Sequence, residues 1–242
     1  MEIAKKNNLY VVEDAAQAIG SYYKGKLLGT IGDFGCYSFH ETKNITSGEG
    51  GLLIVKDDKM NDLAEMIREK GTNRKQFFNG FVDKYTWQVP GSSYLPSDIL
   101  AALLYAQVQS FDEIQEKRLH IWNKYNDFFE KYEKEGLVIR PYIPNYATNN
   151  AHMYYILLNT KEERNDFIKY MKENDIITPF HYIPLHLSPM GQKYGYNKGD
   201  LPITEEYSER LVRLPLYATL TENELNKILT LIEKKLETDN GR

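Results

Sequence analysis

The sequence has few of the features that mark secreted, membrane or nucleic-acid-binding proteins. Its 242 residues include a single cysteine, Cys36, which excludes a disulfide within the chain and any site built from several cysteines. No apolar run approaches the roughly 20 residues of a membrane-spanning helix, and residues 1–6 lack the apolar core of a signal peptide. The 30 basic residues are outnumbered by 34 acidic ones, so no basic excess indicates a nucleic-acid partner. We therefore expect a cytoplasmic protein with no nucleic-acid or membrane partner.

The composition is that of an ordinary folded protein. Hydrophobic residues make up 42% and charged residues 26% of the chain, with 16 glycines and nine prolines, which argues against disorder and collagen-like repeats. A stretch rich in Pro, Tyr and Asn at residues 137–150 marks the boundary between two parts of the chain with different predicted structure. We predict a larger α/β unit at residues 1–110, a bridging helix at 111–136 and a smaller α+β domain at 137–242.

Hydrophobic patterns predict the elements within these units. The apolar run at residues 9–12 is typical of a strand buried in a parallel sheet. Residues 2–8 resemble the end of an amphipathic helix that leads directly into this strand. A domain seldom begins in this way, so we expect that an N-terminal part of the parent fold is missing. The long polar and aromatic connection at residues 71–96 indicates a functional loop. Further strands are predicted at 35–39, 51–55, 151–158 and 176–180, and helices at 59–70, 97–132, 161–174, 204–211 and 221–236.

Two charged residues follow neighbouring predicted strands. Asp14 comes after the run at 9–12, and Lys43 comes after the strand at 35–39. Ligands of open α/β sheets bind beyond the carboxyl ends of the strands. An Asp and a Lys in such a crevice suit pyridoxal phosphate (PLP), whose pyridine nitrogen pairs with a carboxylate and whose aldehyde forms a Schiff base with lysine. On spacing alone, a helix cap for Asp14 and a solvated side chain for Lys43 remain open.

Longer strings carry a resemblance to a known family. The strings EDAAQ at residues 13–17, GDFGCYSFHETKN at 32–44 and GEGG at 48–51 resemble the sugar-nucleotide aminotransferases of the DegT/DnrJ/EryC/StrS family, and so do HYIPLH at 181–186 and SERLVRLPLY at 208–217. The resemblance implies the α/β architecture of PLP-dependent aminotransferases of fold type I. A truncated large domain with a mixed, mostly parallel sheet would precede a small α+β domain.

The resemblance also implies roles for individual residues. Lys43 would hold PLP through a Schiff base and shuttle the proton during catalysis. Asp14 would pair with the pyridine nitrogen, and Ala16 would pack against the ring face. Gln17 would bind the phenolic oxygen and Ser38 the phosphate.

The strings at residues 39–44, 68–74, 82–87 and 91–95 look most like the branch that aminates C4 of dTDP-4-keto-6-deoxyglucose, with L-glutamate as donor. That branch makes dTDP-4-amino-4,6-dideoxygalactose for polysaccharide biosynthesis. Family members act as homodimers, and Ser93 stands where many relatives have an Asn that reaches the partner's cofactor phosphate. Substrate contacts are expected from Lys84, Tyr85, His181, Tyr182 and His186.

Four other interpretations compete with this one. His181 and His186 could suggest a metal site, but their spacing around a proline does not share a helix face and no third ligand is near in sequence, so we predict no metal. A dehydratase on the same fold would have histidine in place of Lys43. An oxidoreductase would need a Gly-x-Gly-x-x-Gly motif after a strand, which is missing. An inactive or incomplete fragment serving as a binding or oligomerisation module is the main alternative.

Overall fold

The computed structural model describes residues 1–239 and 241, and the chain divides into two compact units. Unit 1 comprises Met1–Ile114 with Pro144–Asn150, and unit 2 comprises Gln115–Ile143 with Ala151–Arg242. Unit 1 contains α1 (Glu2–Lys6), β1 (Val12–Asp14), β2 (Tyr22–Tyr23), β3 (Lys26–Leu27), β4 (Phe34–Ser38), β5 (Gly51–Val55), α2 (Asn61–Arg68), α3 (Arg74–Phe78) and α4 (Asp98–Gln109). Helix α5 (Phe111–Lys134) begins in unit 1 and continues in unit 2, which also contains β6 (Tyr154–Leu157), α6 (Lys161–Glu173), α7 (Pro189–Lys193), α8 (Pro202–Arg210), β7 (Leu211–Leu214) and α9 (Glu222–Asp239).

The main sheet of unit 1 is mixed, as expected, with strand order β1-β4-β5. Strand β1 runs parallel to β4, with Asp14 beside Cys36, and β4 runs antiparallel to β5, with Ser38 beside Gly51. Side chains alternate between the two faces of a strand, and residues in register share a face. Asp14 and Ser38 therefore lie on one face of the sheet, and Glu13 lies on the other.

Unit 2 is organised around a large aromatic and aliphatic core. Strands β6 and β7 pair antiparallel, and α5, α6 and α9 bury their apolar faces in the same cluster. Phe129 of α5 stacks on Tyr154 of β6 at 5.9 Å between ring centroids, and both side chains are fully buried. Burying one such ring removes 150–250 Å² of surface from water, roughly 4–6 kcal/mol before entropic costs. The packing of α5 on the strands is thus a main source of stability in this unit.

Three predicted elements differ from the structure. The first strand lies at Val12–Asp14 instead of residues 9–12, and Leu9 and Tyr10 are 60% and 69% exposed. The reason is that β1 is set by its ladder with β4, which starts only at Phe34. The helix predicted over 97–132 breaks at Ser110, which ends α4 with φ −100° and ψ 13°.

The strand predicted at 176–180 is reduced to a single bridge between Phe180 and Val212. Pro179 accepts a hydrogen bond from Arg213 N, but it has no N–H group to donate in return. A ladder cannot extend through such a residue. Strand β7 occupies residues for which no strand was predicted, because its partner β6 lies more than 50 residues away in sequence.

Candidate active site

Asp14 ends β1 and opens a tight turn. Its Oδ1 accepts a hydrogen bond from Ala16 N at 3.1 Å, and Ala15 N donates to Cys36 O of β4. Asp14 and Gln17 are exposed, whereas Ala16 is half-buried. The turn therefore presents the Asp14 carboxylate at the carboxyl end of the sheet, where the sequence predicts it.

The loop that carries Lys43 closes on itself. It leaves β4 at Ser38, whose Oγ accepts a hydrogen bond from His40 N at 3.3 Å, and Lys43 N then donates to His40 O. Farther on, Phe39 N donates to Gly50 O, and Gly50 has a φ of 149°, a value that favours glycine. Lys43 is half-buried, and in the described part of the chain no hydrogen bond or ion pair engages its side chain. The loop thus holds a free amine at the end of β4.

A buried amide connects this loop to the turn after Asp14. Asn150 is 4% exposed, and its Nδ2 donates to the carbonyl oxygens of Gln17 and Ile19, both at 2.9 Å. In turn, Asn44 Nδ2 donates to Asn150 O at 2.7 Å. Asn44 directly follows Lys43, so Asn150 ties the lysine loop to the aspartate turn. Sequence reasoning missed Asn150, because it lies more than 100 residues from both segments and no pattern marks it.

The opposite face of the sheet supports the site through Glu13. Its Oε1 accepts hydrogen bonds from Ile31 N and Gly32 N, both at 2.6 Å, and its Oε2 accepts one from Gly29 N at 2.9 Å. Burial raises the Glu13 pKa, but the three N–H groups and the charge of Lys56 outweigh burial, so the pKa is lowered overall. The carboxylate therefore pins residues 29–32 against β1 and β4.

A glycine makes this close approach possible. A Cβ atom at Gly35, the register partner of Glu13, would lie 1.8 Å from Gly29 O. No side chain fits there. Residues 29–32 cover the face of the sheet that carries Glu13. The other face, with Asp14 and Ser38, is therefore the one open to a ligand at this end of the sheet.

The groups at this sheet end fit the cofactor expected from the sequence. Lys43 offers an amine that no other described residue engages, Asp14 offers a carboxylate, and Ser38 offers a hydroxyl on the same face as Asp14. Ser38 lies two residues beyond Cys36, the register partner of Asp14, which is roughly 7 Å along the strand. An aldehyde, a pyridine nitrogen and a phosphate could be bound by these three groups.

Three further predicted residues lie elsewhere in unit 1. Ser93 is exposed and forms a bridge with Glu69 just after α2. Lys84 and Tyr85 are exposed on the connection after α3, where the Tyr85 ring contacts Phe77 at 5.6 Å. Among the described residues, no hydrogen bond, ion pair or ring contact joins these three side chains to Lys43, so their predicted contacts with a partner's cofactor or with substrate stay predictions.

The remaining predicted residues belong to unit 2. His186 is 6% exposed, and its Nε2 lies 2.9 Å from Glu205 Oε1. This contact holds the segment before α7 to α8 and leaves the ring little freedom to reach a substrate. His181 is half-buried, and Tyr182 is 73% exposed. In residues 1–239 and 241, no cluster of three or more His, Cys, Asp or Glu side chains has the arrangement of a metal site.

Comparison with known proteins identifies the family. The model of the DegT/DnrJ/EryC1/StrS aminotransferase family matches residues 1–233. The chain belongs to this family. Its members use PLP as cofactor, and no helix within the described residues is long and apolar enough to cross a membrane.

Individual relatives cover the chain almost completely. The uncharacterised protein MJ1066 of Methanocaldococcus jannaschii is 36% identical over 97% of this chain and 62% of the relative. GDP-perosamine synthase of Escherichia coli O157:H7 is 30% identical over 93% of this chain and 58% of the relative. The PMP form of the sugar aminotransferase Spr1654 from Streptococcus pneumoniae superimposes with a TM-score of 0.84 at 25% identity, covering 98% of this chain and 62% of that one. The chain thus spans about 60% of the length of these relatives.

Proposed function

We propose that this chain carries the cofactor-binding lysine of a PLP-dependent aminotransferase acting on a nucleotide-linked 4-keto-6-deoxy sugar. The observation that supports this most is the Lys43 amine, which has no partner in the described part of the chain and lies on a loop that Asn44 and Asn150 tie to the turn of Asp14. Membership of the family supports the reaction type. The single cysteine and the composition support a cytoplasmic location.

Each residue of the site has a distinct task in this reaction. PLP, when bound, supplies an electron-accepting ring that carries the amino group from donor to acceptor. The negative carboxylate of Asp14 would keep the ring nitrogen protonated. The Nζ of Lys43 would hold the cofactor and, once a substrate amine has displaced it, take and return the substrate proton. The hydroxyl of Ser38 would donate to the phosphate, and Gln17 to the ring oxygen.

The substrate we propose is dTDP-4-keto-6-deoxyglucose, with L-glutamate as the amino donor. The strings at residues 39–44, 68–74, 82–87 and 91–95 support this choice. The relative named GDP-perosamine synthase makes a GDP-linked sugar the competing substrate class. Glutamate-dependent amination of dTDP- and GDP-linked 4-keto-6-deoxy sugars, assayed side by side, would separate the two.

Trapping the cofactor tests the role of Lys43 directly. Incubation with PLP should produce visible absorption, and borohydride should bleach it and leave the reduced cofactor on the peptide that contains Lys43. The Lys43→Arg variant should lose the label, whereas Lys59→Arg, at an exposed lysine of the same unit, should keep it. Equal labelling of the Lys43→Arg and wild-type proteins would refute the assignment.

A second candidate function is a binding or oligomerisation module without catalysis. It is favoured by apolar side chains exposed on the main sheet of unit 1, where Val12 is 63% and Leu53 is 53% exposed. Exposed apolar surface of this kind is typical of interfaces. If Lys43 takes up no PLP while sedimentation shows a stable homodimer that Leu53→Glu disrupts, the module interpretation replaces the catalytic one.

A further inference from the structure

One residue makes the hydrogen bonds of the short turn that carries Lys43. Phe39 before this turn and Ile45 after it are buried, so the chain is anchored on both sides. In the described part of the chain, every hydrogen bond of residues 40–43 includes His40. The backbone from which the Lys43 side chain extends is therefore held by His40 between two buried anchors.

His40 contacts the turn through its main chain and through its ring. Its carbonyl oxygen accepts a hydrogen bond from Lys43 N at 3.0 Å, and its Nδ1 accepts one from Thr42 N at 3.3 Å. The Thr42 hydroxyl oxygen lies 3.0 Å from the same ring nitrogen. A side chain that accepts from the N–H two residues later is the means by which Asn and Asp stabilise turns. His40 acts as such a residue in this turn.

These contacts set the tautomer of the neutral His40 ring. A backbone N–H group can only donate, so the Nδ1 that faces Thr42 N carries no hydrogen, and Nε2 carries the proton. Glu49 Oε1 lies 3.9 Å from Nε2, which is too far for a hydrogen bond. Its negative charge nevertheless favours the same tautomer.

The main chain of His40 also contacts Ser38. The His40 N–H donates to Ser38 Oγ at 3.3 Å. A hydroxyl that accepts such a bond keeps its own hydrogen for another acceptor, and the described residues provide no acceptor for it. His40 thus connects the turn of Lys43 to a hydroxyl that can donate to an anion.

We propose that His40 is a positioning residue for Lys43 and acts through its unprotonated Nδ1. The ring holds Thr42 N and the carbonyl holds Lys43 N, which fixes the lysine backbone relative to Ser38. Small displacements of a reacting group lower its reactivity strongly, so loss of the Nδ1 acceptor should slow reactions of the Lys43 amine. The consequence for cofactor uptake rests on the function proposed above, whereas the tautomer and the turn do not.

NMR of the His40 ring tests the tautomer in the chain without cofactor. At about pH 8, where an imidazole is neutral, the nitrogen spectrum should show a hydrogen on Nε2 and none on Nδ1. A hydrogen on Nδ1 would overturn the inference, because that nitrogen could then not accept from Thr42 N.

Two variants separate the acceptor from the ring. His40→Asn keeps an acceptor, since its Oδ1 is as many bonds from Cα as the Nδ1 of histidine, and His40→Phe keeps a ring without one. The Thr42 and Lys43 amides should exchange about fivefold faster in His40→Phe, as expected for one lost hydrogen bond, and less than about twofold faster in His40→Asn. His120→Phe, the same change at an exposed histidine of α5, is the matched control. Wild-type exchange in His40→Phe, or equal acceleration in the two His40 variants, would contradict the proposed role.

Labelling of Lys43 connects the turn to the cofactor. With PLP and borohydride, His40→Phe should label Lys43 at least about threefold more slowly than the wild type, and His40→Asn at nearly the wild-type rate. Recovery in His40→Asn is a result that general destabilisation by substitution would not give. A wild-type rate in His40→Phe would overturn the role of His40. Absence of label in the wild type would overturn the proposed function instead, and the tautomer and amide exchange would still decide the inference.

Discussion

Replacing Glu13 by Gln should loosen the loop that backs the candidate active site. The change keeps the size of the side chain but removes its charge. A Gln carbonyl can still accept from Ile31 N and Gly32 N, as Oε1 does now at 2.6 Å. Its amide NH2 would then face Gly29 N, which now donates to Oε2 at 2.9 Å. The hydrogen bond from Gly29 N is therefore replaced by a contact between two donors. The hydrogen bonds from Ile31 N and Gly32 N remain, but their acceptor is no longer charged.

The structure sets the size of this effect. Hydrogen bonds to a charged group each contribute about 1.5–3 kcal/mol, and neutral ones about half as much. We expect Glu13→Gln to destabilise the loop by at least about 3 kcal/mol, the sum of one lost charged hydrogen bond and two that keep half their strength, taken at the lower limits. This corresponds to roughly 150-fold faster local opening or more.

Amide hydrogen exchange measures this opening directly. The Gly29, Ile31 and Gly32 amides should exchange faster in Glu13→Gln, with the largest change at Gly29. Glu41→Gln is the matched control, since Glu41 is exposed and its side chain has no hydrogen bond or ion pair among the described residues. Less than a threefold change at all three amides, or an equal change in the control, would refute the reasoning.

The same carboxylate predicts a dependence on pH. The Glu13 pKa is lowered in the folded chain, so its ionised form is the one that stabilises the loop. This contribution is complete above the ordinary glutamate pKa of about 4.3 and is lost as the pH falls through the lowered value. Protection of the Gly29 amide in the wild type should therefore fall on acidification below about pH 4, and Glu13→Gln should lack this component.

Three other substitutions test the packing around the site and in the core. Asn150→Ala removes two buried donors and should destabilise unit 1 by about 2 kcal/mol, with faster exchange in residues 17–21; unchanged exchange there would contradict its bridging role. Gly35→Ala should reduce the yield of folded protein or lower its melting temperature, because its Cβ would lie 1.8 Å from Gly29 O; a wild-type melting temperature would show that the loop does not pack as described. Phe129→Ala should cost about 3–5 kcal/mol in urea unfolding, and a loss under 1 kcal/mol would mean that the core of unit 2 can collapse around the cavity.

Local patterns were sufficient where short-range interactions decide the structure. The strand at 51–55 was predicted at its observed bounds, and helix α6 within one residue. The start of α9 follows from the capping box of Thr221 and Glu224, in which each side chain accepts from the backbone N–H of the other. Such signals act over three or four residues, so the sequence displays them directly.

Long-range hydrogen bonds escaped prediction. Strand β7 exists because β6 pairs with it, and Pro179 prevents a third strand from forming beside it. The contact between His186 and Glu205 was also not predicted, and the expected contact of His186 with substrate stays a prediction. Nothing within a few residues of either position indicates these partners.

The sequence by itself supplied an amine, a carboxylate and a hydroxyl in a fixed order after the strands, and the resemblance from which their roles toward an aldehyde, a pyridine nitrogen and a phosphate are proposed. Only the tertiary structure decided how Asn150 ties the lysine loop to the aspartate turn and how Glu13 holds residues 29–32 against the other face of the sheet. The physical reason is that residue type sets what a group can bind, whereas its partners are set by chain segments that meet only on folding.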